Sequence, residues 1–164
     1  MVAIRKSNEE GHRRKFLVIV DDTPECDRAI VYAAKRAART GGVLLLLYVI
    51  AQGDFQHWLG VEEIMRAEAK EKADQTLAKA ADRGRSVART EPECIVGEGN
   101  TSEVILDIID SDPDVAILVL AAGLSNEGPG PLVASIAGKS SGNFPIPVTI
   151  VPGNLDDESI AALA

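Results

Sequence analysis

Three stretches of this chain hold residues that could do chemistry. Asp21 and Asp22 stand side by side after the apolar run FLVIV, and a carboxylate pair at a strand end can hold a divalent cation or accept a phosphoryl group. The segment AAGLSNEGPGP (Ala121–Pro131) carries three glycines and two prolines and leads into LVASIAGKS, where Lys139 follows Ser135 by one turn. A glycine-rich loop opening a helix can present backbone N–H groups to an anion or small ligand. His57 lies beside Trp58, but with no cysteine or second histidine near it the imidazole reads as solvated. Cys26 and Cys94 are too few and too far apart for a zinc framework and read as small, partly buried residues in a reducing compartment. The chain has no Gly-x-Ser-x-Gly elbow, no Gly-x-x-x-x-Gly-Lys-Ser/Thr loop and no histidine near Ser135. A binding or regulatory protein is expected, not an enzyme.

The elements that must position these residues alternate in type. FLVIV (Phe16–Val20) reads as a short buried strand. Thr23 is expected to cap the helix that follows, with Pro24 at its first position and Ala29, Ile30, Ala33, Ala34 and Ala37 as its packing face, until Gly41-Gly42 ends it. VLLLLYVI (Val43–Ile50) is the second strand, apolar throughout as in a parallel sheet. After a loop over residues 51–60, a helix is expected from Val61 to Ala81. Val61, Met65, Ala69, Ala73 and Leu77 form its buried stripe, with Ile64 beside them, and Gly84 breaks it. Cys94–Gly99 is a third strand, and the Asn100…Glu103 spacing predicts a capped helix with Val104, Ile105, Ile108 and Ile109 inside. VAILVL (Val115–Leu120) is a central strand, and Pro147–Pro152 the fifth. The fold class is therefore α/β, an open five-stranded parallel sheet with helices on both faces, Rossmann-like. In such a sheet ligands sit at the carboxyl ends of the central strands.

Bulk properties narrow the partners. At 164 residues and 46% hydrophobic content, one domain is expected over residues 16–153, flanked by a flexible basic arm (1–15) and an acidic tail (154–164) whose Ile160 to Ala164 could form a helical turn. A net charge of −8 argues against nucleic acid. No apolar run approaches the ~20 residues needed to cross a bilayer, so no membrane is expected and the location is read as cytoplasmic. Val148, Ile150 and Val151 are too apolar to leave on an exposed edge, and the prolines at both ends of that strand suit an edge. A homodimer through 147–152 is expected, with a further protein partner unidentified.

The whole pattern resembles the universal stress protein (UspA-like) family over about residues 15–153. The resemblance rests on the strand ending Val20-Asp21, the capped helix, Gly41-Gly42, the strand ending Tyr48-Val49, Val96-Gly97-Glu98-Gly99, the glycine-rich loop and the closing Pro-x-Pro-Val strand. It implies adenine nucleotide, AMP or ATP with magnesium, between the ends of the first and fourth strands. It places Ile19, Val20, Asp21 and Val49 at base and ribose, with Leu120, Ala121, Gly123, Ser135 and Ile136 as further cofactor-binding positions. The family's signature of glycine, two residues, glycine, nine residues and glycine with Ser or Thr falls on Ala121, Leu124, Ala134 and Ser135, where only the serine fits. Pro129 and Pro131 each remove a donor. From Thr90 to Gly138 there is no lysine or arginine but nine carboxylates: Glu91, Glu93, Glu98, Glu103, Asp107, Asp110, Asp112, Asp114 and Glu127. The expected function is a dimeric stress-response module without tight ATP binding and with no certain cofactor; an adenine-nucleotide sensor is the alternative. Asp21-Asp22 also suggests a phosphoaspartyl receiver, but the chain has no acidic strand end at its middle to complete one.

Overall fold

The computed structural model describes residues 3–51 and 61–164. Five strands, β1 (Lys15–Ile19), β2 (Val43–Ala51), β3 (Glu93–Gly99), β4 (Val115–Ala122) and β5 (Val148–Pro152), form one parallel sheet in the order β3-β2-β1-β4-β5. Five α-helices connect or follow them: α1 (Cys26–Thr40), α2 (Glu62–Val87), α3 (Thr101–Ser111), α4 (Pro131–Ala137) and α5 (Asp157–Leu163). The pleat divides each apolar strand between two cores. Phe16, Val18, Leu44 and Leu46 pack with α1, α2 and α5 on one face, and Leu17, Leu45, Leu47 and Leu118 pack with α3 and α4 on the other. Burial on both faces is why these strands read as unbroken apolar runs. The chain winds outward from β1 through β2 to β3 and then returns to β4 on the other side of β1. The switch of direction opens a crevice between the carboxyl ends of β1 and β4.

Several boundaries differ from the sequence reading for physical reasons. Thr23 does not cap α1: its N–H and hydroxyl both turn to Asp21 Oδ1 (2.9 and 2.5 Å), and α1 starts at Cys26 with Glu25 in its N-cap position and no side-chain cap. Gly84 does not break α2, which runs on to Val87; a Cβ there would stand 2.9 Å from Leu44 Cδ2, so the glycine serves close helix-on-sheet packing. The buried stripe of α2 shifts accordingly to Ala73, Leu77, Ala80, Ala81 and Gly84, while Val61 and Ile64 are exposed. Asn100 does cap α3, accepting from the Glu103 N–H at 3.2 Å.

Residues at the two ends are seated on the domain. Arg5 Nη1 donates to the carbonyls of Ile109 (2.5 Å) and Asp112 (3.0 Å), where the last turn of α3 leaves acceptors unsatisfied. His12 Nδ1 lies 2.6 Å from Asp114 Oδ1, and Lys15 reaches Asp112 (2.8 Å) and Glu93 (3.0 Å). At the other end α5, capped by Asp156, buries Ile160 completely against α1. Asp157 accepts from Arg28 (2.7 Å) and Arg83 (2.9 Å), joining α5 to α1 and α2. Those two guanidiniums hold its carboxyl below the usual range. Asp27, in the same cluster, is pushed up by burial, but bonds from Arg83 and Arg28 outweigh this and leave its carboxyl lowered.

Candidate functional site

Because β1 ends at Ile19, the next two residues turn at the mouth of the crevice. Val20 still donates to the Leu47 carbonyl (2.7 Å), which keeps it in the sheet and spends its N–H, while Asp21 projects outward. Its Oδ1 carries both bonds from Thr23; Oδ2 makes no hydrogen bond to any described residue. Ile19, Val20, Asp21 and Val49 line one wall of a cleft of about 340 Å³, and Pro131, Leu132 and Ser135 of α4 line the other. Asn100, Thr101 and Ser102 close one end, because β3 finishes at the same rim of the sheet and α3 starts there. The cleft is thus an apolar slot edged by a carboxylate, an amide and hydroxyls, at the lower end of the roughly 300–1,000 Å³ typical of small-molecule sites.

The structure brings five of the sequence-predicted residues, Ile19, Val20, Asp21, Val49 and Ser135, into this single cleft. It distributes the other four elsewhere. Leu120 and Ala121 line a smaller adjoining recess of about 90 Å³ that shares Ile19, Asp21, Pro131 and Leu132 with the cleft. Gly123 belongs to the β4–α4 loop, where Glu25 and Glu127 face it across a further hollow. Ile136 points away: it is buried in the α3–α4 core, beside a groove shared with Phe144, Val148 and Ile150 next to β5. Glu25, Thr23 and the Asn100-Thr101-Ser102 run escaped the sequence reading. Only the last carried a signal, as a helix start following a strand. His57 and Trp58 lie outside the described residues.

Charge and backbone geometry bear on what the cleft can hold. Among the described residues lining the cleft, the recess and the loop hollow there is no lysine, arginine or histidine, whereas Asp21, Glu25 and Glu127 are present. Glu25 lies across the loop: a Cβ on Gly123 would meet its Oε1 at 2.9 Å, and one on Gly153 its Cβ at 3.3 Å. The loop's own N–H groups are partly spent, Gly123 on the Pro129 carbonyl (3.0 Å) and Gly128 on Ser125 (3.1 Å), and prolines occupy positions 129 and 131. This donor set carries carboxylates and no described cation, and part of its N–H supply is already engaged, which is a poor match to a phosphate chain. The nine-carboxylate window overstated the local field, since Asp112, Asp114 and Glu93 sit at the opposite rim with Lys15 and His12. Among the described residues no cluster of three or more His, Cys, Asp and Glu could hold a metal ion, and no helix is long and apolar enough to cross a membrane.

Comparison with known proteins locates this architecture. The sequence model described as the universal stress protein family matches residues 12–152. No curated protein sequence matches the chain. Among solved structures, a universal stress protein UspA from Lactobacillus plantarum superposes with a TM-score of 0.68 at 17% identity, covering 84% of this chain and 97% of that one. A universal stress protein from Archaeoglobus fulgidus in complex with dAMP gives 0.60 at 17% identity, covering 92% and 99%. A family member from Arabidopsis thaliana with AMP bound gives 0.56 at 18% identity, covering 88% and 94%. At these identities the superpositions establish the shared fold.

Proposed function

The chain belongs to the universal stress protein family, and from that premise we propose that it acts as a homodimeric regulatory module whose cleft does not hold a triphosphate. The carrying observation is that every charged residue described in the lining of the recess and the loop hollow is acidic, Asp21, Glu25 and Glu127, with no described cation to receive a phosphate. The dimer would form through β5, an edge strand whose Ile150 is 38% exposed beside the apolar groove of Phe144, Ile146 and Val148. The partner that reads out the dimer would be another protein.

Thermal unfolding with and without millimolar magnesium ATP tests the cleft, because a ligand at 100 times its Kd adds about 2.7 kcal/mol. No shift is expected. A clear ATP-dependent shift overturns the reading. In parallel, sedimentation of Ile150→Asp is expected to give monomer where the parent chain gives dimer.

A second reading, an adenine-nucleotide sensor, is favoured by two observations. Asp21, Val49 and Ser135 do line one cleft. Two structural relatives are described with AMP or dAMP bound. On this reading AMP gives a thermal shift that disappears in Asp21→Ala.

A further inference from the structure

We propose that the cleft selects an uncharged adenine nucleoside over its phosphates, and that Glu25 is the residue that sets this preference. The inference rests on the second reading above, that an adenine-bearing ligand enters the cleft, and specifies what that ligand lacks. The walls made by Ile19, Val49 and Leu132 suit the faces of a planar ring. The hydroxyls of Thr101, Ser102 and Ser135 make no hydrogen bond to any described residue, and Asp21 Oδ2 is likewise unengaged. These groups can accept from and donate to sugar hydroxyls. All of this chemistry is satisfied by a neutral ligand.

Beyond Asp21 the cleft continues into the recess, since the two share Ile19, Asp21, Pro131 and Leu132. Any substituent on the sugar that extends past Asp21 enters that space. It is small, about 90 Å³, and two carboxylates, Asp21 and Glu25, line it. Glu25 packs into this corner: its Oε1 would meet a Cβ on Gly123 at 2.9 Å and its Cβ one on Gly153 at 3.3 Å, so the two glycines leave room for its side chain there. Its carboxylate therefore stands against the β4–α4 loop at the place where a phosphate on the ligand would arrive. Like charges a few ångströms apart at a partly desolvated site oppose binding, and no cation among the described lining residues compensates.

Calorimetric titration of the full chain with adenosine, AMP and magnesium ATP, at low and high salt, tests the inference on the parent protein and on Glu25→Gln. Adenosine is expected to bind at least about tenfold more tightly than AMP or ATP in the parent, with the AMP deficit shrinking as salt screens the carboxylates. Glu25→Gln is expected to recover about tenfold in AMP affinity and to leave adenosine within about twofold. Equal or tighter binding of AMP in the parent overturns the inference and leaves the sensor reading standing. Silence of all three ligands overturns both and leaves the dimeric module. An unchanged adenosine-to-AMP ratio in Glu25→Gln, in a variant whose melting temperature matches the parent, removes Glu25 from the role. The salt titration of the parent reports on the charge argument independently of any variant.

Discussion

Replacing Gly84 by alanine sets two opposed effects of similar size against each other, and the structure decides between them. Gly84 lies inside α2, so alanine gains roughly 1 kcal/mol of helix propensity. The added Cβ, however, would stand 2.9 Å from Leu44 Cδ2 and 3.5 Å from Pro92 Cγ. Leu44 is fully buried, with no solvent side to which its methyl can swing, and overpacking of this kind costs about 1–3 kcal/mol. The central values leave Gly84→Ala less stable than the parent by about 1 kcal/mol, a fall in Tm of roughly 2–4 °C for a domain of this size. Gly84→Val, with two further methyls against the same strand, is expected to lose about 3 kcal/mol. Ala78→Gly, on an exposed turn of the same helix, isolates the propensity effect and should cost about 1 kcal/mol by itself. Urea denaturation followed by circular dichroism measures all three at constant m-value. A Gly84→Ala protein as stable as the parent, or more so, refutes the packing role assigned to the glycine.

Two further outcomes are expected. Burial pushes the Cys26 thiol up to about 12, whereas Cys94 is exposed on the edge strand β3. A thiol reagent at pH 8 should therefore titrate one cysteine per native chain and two in denaturant, and two in the native chain would contradict the buried position of Cys26. The carboxyls of Asp27 and Asp157 lie below their unfolded values, so their contribution is fully present above the unfolded pKa near 4 and is lost as pH falls through the lower folded values. Asp157→Asn should accordingly flatten the loss of stability below about pH 4, read as the urea midpoint against pH, and an unchanged slope would show that the Arg28–Arg83 cluster does not report on folding.

Much of the scaffold was legible because it is written in apolar periodicity. Runs such as Leu44 to Leu47 are buried on both faces, and a central parallel strand imposes that pattern on the sequence. Asn100 could be read as a cap because an N-cap depends on its own side chain and a neighbour three residues on. Gly84 could not, since its meaning lies in Leu44, forty residues away in sequence and opposite it across the helix–sheet interface. The same limit applied to the site. Asp21 follows the end of β1 and Val49 lies near the end of the neighbouring parallel strand β2, so they fall together, but Glu25 reaches the recess from the turn before α1, and Ile136 leaves because α4 turns that side chain inward. Counting acids along the chain mixed residues from both ends of the sheet, because every strand-helix pair carries the chain from one rim to the other and back.

That shuttling gives the molecule two rims with different duties. At the amino rim Arg5, His12 and Lys15 tie the incoming chain to Asp112, Asp114, Glu93 and the end of α3, so the strand starts are cross-linked by polar side-chain contacts. At the carboxyl rim the side chains of Glu25, Thr101, Ser102 and Ser135 make no hydrogen bond to any described residue. A substitution at Asp112 or Asp114 removes a tie between the incoming chain and the scaffold, while one at Ser102 or Ser135 removes no side-chain hydrogen bond to any described residue. Polar side chains at the carboxyl rim can thereby be exchanged without touching the ties that anchor the amino rim.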